Sequence, residues 1–526
     1  VNVRIRRLGV AFMVLYTLLF GMLNRVQFLQ AEEYTEHVGN IRPQLRAYGE
    51  QRGEILTADG VVAAFSVSVD NGDIDFRRVY PTDERYAHLV GYQSFNQGSF
   101  GLEREYNEQL AGERLDQQFD SVRDLFDERD TTGTVVMTLR DDIQQAAVEA
   151  LGETRGSVVA LDPRTGAVLA MWTYPSFDPN ELSGIDGAVV NANYQALLDD
   201  PDDPLLAKAY REIFFPGSTF KLVTAAAAID FAGVTLTAPV WPDATVYEPL
   251  PSGSPIRNFG GSTCGGDLLL LLQRSCNTGF AEIGAEWVGP DALTRTAENF
   301  GFNQPSPIDL PNAATSVFPT DYGTRLADVD FYRAGDFLPE GTDPVESDGP
   351  ILPNGDTPIH ENSAVLAQTA IGQNDVKATP LQMAMVAAGI ANGGEIMTSH
   401  VVAEVRRADG TVYETIEPDL WRLATSPTVA GLLREAMVNV AENGTARNMG
   451  IDGLVVGGKT GTAQLGTEPP NSHAWVVGFA GRPGAPAEIA VAVLVEAQPG
   501  VSEQTGGTVA APIARAIIEA AFRIGN

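Results

Sequence analysis

Phe215-Pro216-Gly217-Ser218-Thr219-Phe220-Lys221 runs directly into the apolar stretch Leu222-Val223-Thr224-Ala225-Ala226-Ala227-Ala228-Ile229. The Pro-Gly pair closes one segment, and the alanine-rich run, a strong helix former, opens the next. Ser218 therefore falls at or near a helix N-terminus, and Lys221 follows at i+3 on the same helical face, about one turn away. A serine placed there has an N–H group free of intrahelical partners and an amine within reach as a base. Serine three residues before lysine is common by chance, but this chain holds only four lysines: Lys208, Lys221, Lys377 and Lys459. Arginine fills the other cationic positions, and arginine stays protonated in proteins whereas lysine can be tuned to accept a proton. Ser218 is thus a candidate nucleophile and Lys221 its candidate base.

With 526 residues, more than one folded unit is expected. Hydrophobic content of 44% beside 20% charged residues is that of a globular protein. The net charge of −33 gives a well-solvated acidic surface and argues against a nucleic-acid binder, which needs basic patches to release counterions. Two cysteines, Cys264 and Cys276, and five scattered histidines match no zinc spacing, so neither a metal nor another cofactor is expected.

Arg4, Arg6 and Arg7 precede an uncharged run over residues 8–23 that Asn24-Arg25 closes. The run is short against the roughly 20 residues of a span, but Arg25 can snorkel and Val26-Gln27-Phe28-Leu29 extends it. Three arginines before the run and one after it place the N-terminus in the cytoplasm. No small-x-small site follows Gly21-Met22-Leu23, which favours an uncleaved anchor over a cleaved signal peptide. Residues 1–30 read as a cytoplasmic stub and single transmembrane anchor, with everything beyond them extracytoplasmic.

Residues 31–133 are polar and form a first extracytoplasmic unit, a spacer or docking domain without a catalytic constellation. Glu54-Ile55-Leu56-Thr57, the turn Asp59-Gly60 and Val61-Val62-Ala63-Ala64 read as a hairpin. A second unit, 134–526, opens with a strand over 135–139 and a helix from Asp141. Two β-type runs flank Asp162-Pro163-Arg164-Thr165-Gly166, a strong hairpin signal. Residues 303–360 are acidic and rich in proline and glycine and are expected to form loops or an insertion. Thr379-Pro380 opens a helix with proline in its first turn. Strands over 454–463, 474–480 and 489–495 are joined by short connections that force an antiparallel meander, and 510–522 is a helix able to cover it.

Three segments stand out together: Ser218-Thr219-Phe220-Lys221, Ser275-Cys276-Asn277 and Lys459-Thr460-Gly461-Thr462. Alone, the second reads as a turn after a helix over 268–272. In this order the trio resembles the S-x-x-K, S-x-N and K-T-G signature of penicillin-binding proteins and class A β-lactamases. Asp162-Pro163-Arg164-Thr165-Gly166, Pro175-Ser176-Phe177-Asp178-Pro179-Asn180, Thr379-Pro380-Leu381-Gln382 and Asn443-Gly444-Thr445-Ala446 are similar to further landmarks of the superfamily. Arg52-Gly53 and Gly101-Leu102-Glu103 resemble the pedestal motifs of class B penicillin-binding proteins, whose arginine and glutamate pair. Thr57-Ala58-Asp59-Gly60 departs from the more basic Asp-Arg-Asn-Gly turn of many class B members, and in this the chain resembles elongation-type enzymes of actinobacteria.

The resemblance implies an α/β fold of the penicillin-binding transpeptidase type. It comprises an antiparallel five-stranded sheet covered by helices, an all-helical subdomain, a β-rich pedestal and one transmembrane helix. It also implies a peptidoglycan D,D-transpeptidase that forms a serine acyl-enzyme from D-Ala-D-Ala and that β-lactams trap. Ser218 would be the nucleophile, Lys221 the general base and Ser275 the proton relay. Asn277 would hold the acyl amide, and Lys459, Thr460, Gly461 and Thr462 would bind the terminal carboxylate. Backbone N–H groups of Ser218 and Thr462 would form the oxyanion hole. Arg52 and Glu103 would form the pedestal ion pair. The implied partners are peptidoglycan stem peptides, β-lactams and a glycan polymerase of the RodA/FtsW type.

Two other functions would use the same motifs. A D,D-carboxypeptidase or β-lactamase-like hydrolase would use water as acceptor, and the pedestal and retained anchor disfavour it. A non-catalytic β-lactam sensor or scaffold is disfavoured by the intact trio. Cys264 and Cys276 read either as two free buried thiols or as a disulfide tethering the Ser275 segment, the second being slightly favoured. Trp475 reads as core rather than as a substrate platform.

Overall fold

The computed structural model describes residues 2–26, 48–71, 74–114, 131–249, 254–323, 325–329, 357–467, 470–498, 500 and 504–524. Residues 27–29, expected to extend the apolar span, and residues 324 and 330–356 of the insertion expected over 303–360 lie outside these residues. Helix α1 (Asn2–Asn24) is long and apolar enough to cross a membrane, and its apolar window is not buried inside the protein.

Two sheets organise the rest. In chain order their strands are β1 (Ile55–Leu56), β2 (Val62–Asn71), β3 (Ile74–Val79), β4 (Gly133–Met137), β5 (Gly156–Leu161) and β6 (Val168–Tyr174). There follow β7 (Val402–Arg407), β8 (Val412–Thr415), β9 (Val455–Gln464), β10 (Ser472–Gly481) and β11 (Ile489–Val495). The pedestal sheet runs β8-β7-β4-β1-β2-β3 and the catalytic sheet β9-β10-β11-β5-β6. Every pair in the catalytic sheet is antiparallel. The expected hairpin β5–β6 and the meander β9–β10–β11 are both present. Because β11 is buried along its whole length, both faces of the sheet must be covered. Helices α2 (Asp141–Leu151), α6 (Pro380–Ala391) and α8 (Ala511–Phe522) supply that cover, α2 and α8 packing on each other. All twelve residues of α6 are buried, so it carries no polar stripe and lies inside the molecule.

The strand read as the opening of a second unit at residue 134 is β4, and the expected boundary cuts it. β4 pairs in parallel with β1 and antiparallel with β7, inside the pedestal sheet. A chain segment more than 260 residues further on therefore completes that sheet. No local pattern announces such a pairing, because strand pattern fixes a face and not a partner.

The subdomain expected to be all-helical contains α3 (Lys221–Phe231), α4 (Leu268–Arg274) and α5 (Asn277–Glu282), but it also holds two short two-stranded pieces. Trp241–Ala244 pairs with Cys264–Gly266, and Val246–Tyr247 with Ile256–Arg257. Helix α7 (Pro427–Asn443) packs on β9 and α4 and so braces the strand and helix that carry two of the three motifs.

In the pedestal Arg52 and Glu103 form a buried ion pair, with Arg52 Nη2 3.0 Å from Glu103 Oε2. A third partner was not expected: Arg78, also buried, donates through Nε to Glu103 Oε1. Burial alone would raise the Glu103 pKa, but Arg78 and Arg52 outweigh it and hold the carboxyl below its usual range.

Candidate active site

Ser218 lies in a short 3-10 turn, Gly217–Thr219, that leads into α3. Thr219 Oγ1 closes the turn by donating to Pro216 O at 2.7 Å. Gly217 has φ of +52°, and a Cβ there would meet Thr462 O at 2.9 Å. Only glycine lets the turn pass this close to β9 in that conformation. β9 is an edge strand of its sheet, and the approach to Gly217 shows that the Thr462 carbonyl points off the free edge. In a strand the N–H and C=O of one residue point the same way, so the Thr462 amide faces the Ser218 turn as well.

Lys221 and Lys459 are both fully buried. Lys221 Nζ donates to Asn277 Oδ1 at 2.7 Å and to Ser275 O at 2.8 Å, with Ser275 Oγ at 3.5 Å. Lys459 Nζ donates to Ser275 Oγ at 2.8 Å and to Thr460 O at 2.8 Å. Ser275 therefore stands between two amines, and the three motifs form one hydrogen-bonded chain beside Ser218. A neutral Lys221 amine would spend its two N–H donors on the two short contacts, leaving its lone pair free. No hydrogen bond among the described residues joins Lys221 to Ser218. Such a bond often tightens only once substrate is bound.

Burial first, and then the Lys459 cation, hold the Lys221 pKa well below the ordinary lysine value. Burial pulls Lys459 down to about 7. A base must be unprotonated, so if Lys221 fills that role acylation is expected to fall as pH drops through its lowered pKa. Lys459→Met removes the neighbouring cation and raises that pKa, so the rising limb of the acylation profile will move to higher pH. Measured as fluorescent-penicillin labelling rate against pH, an unmoved limb would contradict the coupling.

Ser275 ends α4 in the left-handed conformation, φ +61° and ψ +44°, rare for a non-glycine residue and common at functional sites. Cys276 is joined to Cys264 in a disulfide with Cα atoms 5.7 Å apart, which ties the Ser275 segment to Cys264–Gly266. Asn277 opens α5 and donates through Nδ2 to Arg257 O at 2.9 Å. Thr460 Oγ1 donates to Thr445 Oγ1 at 2.7 Å, linking the third motif to the Asn443-Gly444-Thr445-Ala446 stretch. Trp475 is fully buried and donates through Nε1 to Phe215 O at 2.9 Å, so it supports the nucleophile turn from the core.

Sequence reasoning missed Asn258. Its buried Oδ1 accepts from Asn277 N at 2.8 Å and Thr278 N at 3.1 Å, and its Nδ2 donates to Ala244 O and Ser262 O. It thereby pins the start of α5, and no spacing or motif in its polar surroundings marks it. Asn258→Ala leaves two backbone donors without that acceptor and is expected to cost about 2–3 kcal/mol of stability. Asn258→Asp keeps the acceptor and should retain more of it. Equal melting temperatures for Asn258→Ala and wild type would contradict this role.

A family model described as the penicillin binding protein transpeptidase domain matches residues 156–519. The chain belongs to this family. A second model, the penicillin binding protein A dimerisation domain, matches residues 52–136. The peptidoglycan D,D-transpeptidase PbpA of Mycolicibacterium smegmatis is 38% identical over 100% of both chains. The PbpA of Mycobacterium tuberculosis is 37% identical over 99% of both. A solved structure of penicillin-binding protein A from M. tuberculosis, a ceftriaxone acyl-enzyme complex, is 35% identical and superimposes with a TM-score of 0.76 over 91% of this chain and 99% of that one. The chain is thus a class B, serine-type peptidoglycan D,D-transpeptidase related to the actinobacterial PbpA proteins.

Proposed function

We propose that Ser218 is the residue acylated in this transpeptidase, with Lys221 as its base, and the observation that carries this is the hydrogen-bonded chain Asn277–Lys221–Ser275–Lys459 alongside it. Ser218 Oγ attacks the carbonyl between the two terminal D-Ala residues, and its proton passes to the neutral Lys221 amine. The oxyanion forms between the N–H groups of Ser218 and Thr462, donors fixed in place before the reaction. On collapse the C–N bond breaks, and Ser275 relays the proton from Lys221 to the departing D-Ala amine. Asn277 holds the acyl amide, and Lys459 with Thr460, Gly461 and Thr462 receives the terminal carboxylate. An acceptor amine then attacks the ester and gives its proton to Lys221, which passes it to the departing Ser218 oxygen as the ester C–O bond breaks and the cross-link is made.

A β-lactam offers the same carbonyl, but its amine stays tethered to the acyl group after the ring opens. The acyl-enzyme complexes of M. tuberculosis penicillin-binding protein A with ceftriaxone, imipenem and penicillin G support this reading for Ser218.

The exposed apolar helix α1 would anchor the chain, with the end bearing Arg4, Arg6 and Arg7 in the cytoplasm and the catalytic unit outside. A glycan polymerase of the RodA/FtsW type would be its partner at the anchor and pedestal. The functional test is turnover of a stem-peptide thioester with a competing D-amino acid: aminolysis product is expected alongside hydrolysis. Hydrolysis alone at every acceptor concentration would overturn cross-linking as the activity.

A further inference from the structure

The cleft in front of Ser218 has a volume of about 1160 Å³ and its charge is unlike that of the rest of the chain. Acidic residues number 68 among 526, yet among the described residues none lines this cleft. Its walls combine hydroxyls, amides and glycines with apolar groups such as Ile256, Phe259 and Ile371, and its charged side chains are three arginines: Arg257, Arg274 and Arg447. All three side chains are exposed, and among the described residues none forms an ion pair or a side-chain hydrogen bond. Several arginines elsewhere do meet carboxylates, as in Arg85–Asp141 and Arg482–Glu488.

The three are held by backbone contacts that lead straight to the catalytic motifs. The Arg257 carbonyl accepts from Asn277 Nδ2. Arg274 is the last residue of α4, immediately before Ser275. Arg447 begins a 3-10 turn two residues after Thr445, whose hydroxyl accepts from Thr460. The Arg274 and Arg447 sides of the cleft are sewn together by Thr445 N donating to Gln273 O and Gln273 Nε2 donating to Asn443 O. A Cβ on Gly444 would meet Gln273 O at 2.5 Å, so only glycine permits that crossing.

Three unpaired forks around a nucleophile suit carboxylates, which arginine binds through two parallel hydrogen bonds. One carboxylate of the donor, the C-terminal one, is already assigned to Lys459 and its neighbours, so the arginines are positive charge beyond that need. Recognition must be local, since a body of net charge −33 repels anions and screening limits such fields to roughly 8 Å at physiological salt.

We propose that this cleft selects an anionic donor stem, one carrying free carboxylate upstream of its D-Ala-D-Ala terminus, and that Arg257, Arg274 and Arg447 determine this specificity. The proposal rests on the transpeptidase reading and extends it to the donor's upstream side chains.

The test uses the full chain and two stem-peptide thioesters that differ only in carrying upstream carboxylate or carboxamide. The second-order constant for acylation of Ser218 is expected to favour the carboxylate donor by about tenfold or more, an advantage that shrinks as salt is added. The triple variant Arg257→Gln, Arg274→Gln, Arg447→Gln should bring that ratio close to one, and the corresponding triple lysine variant should keep part of it. A wild-type ratio near one, or a ratio unchanged in the glutamine variant, overturns the proposal while leaving the transpeptidase reading intact. A preference seen only when the acceptor amine carries the carboxylate overturns the assignment to the donor. If neither thioester acylates Ser218 although penicillin does, the substrate reading itself fails and the specificity with it.

Discussion

Lys221→Met will slow acylation of Ser218 by roughly 10³-fold while the protein stays folded. Methionine keeps the unbranched shape of lysine, one atom shorter, and replaces a buried amine with a buried thioether, so most of the packing around α3 is kept. What disappears is the lone pair proposed to take the serine proton, together with the donors to Asn277 Oδ1 and Ser275 O. Lys221→Arg should fare no better, since a guanidinium keeps its proton and cannot act as the base. The measurement is the labelling rate with fluorescent penicillin beside a circular dichroism spectrum. A fall of less than tenfold with an intact fold would mean that some other group accepts the proton.

The second large effect lies far from the chemistry. Glu103→Ala is expected to lower the unfolding free energy by about 3–5 kcal/mol, because it strands two buried guanidinium groups, Arg52 and Arg78. The carboxyl also carries a pH signature. Its folded pKa lies below the ordinary value, so its stabilisation is complete above that value and is lost as pH falls through the folded pKa. Urea unfolding at neutral and acidic pH measures both: a wide gap between wild type and variant at pH 7 should narrow in acid. A gap that stayed constant with pH, or was absent at pH 7, would contradict the buried triad.

The parts of this molecule legible in its sequence are those that depend on short separations. The i, i+3 relation of Ser218 and Lys221 follows from helix geometry, and the hairpin β5–β6 and the meander β9–β10–β11 follow from turn residues and short connections. The remote motifs Ser275-Cys276-Asn277 and Lys459-Thr460-Gly461-Thr462 were visible only through resemblance, since a turn and a strand of that kind carry no mark of chemistry by themselves. Asn258, Arg78 and the entry of β7 into the pedestal sheet escaped notice because each depends on which distant segment the fold brings alongside. The scarcity of lysine proved a partial guide. Lys221 and Lys459 do sit in the site, but Lys208 pairs with Glu496 in the interior at 3.3 Å, and Lys377 lies over the Phe215 ring at 5.3 Å. Structural duty therefore preserves lysine here as well as catalysis does.

The central claim, that Ser218 takes the acyl group, is tested most directly by mapping the adduct. Treating the full chain with penicillin G and digesting it should give a single modified peptide carrying the acyl mass on Ser218. Ser218→Ala, folded and treated identically, should carry none. An adduct on a different residue, or equal modification of the two proteins, would contradict the assignment.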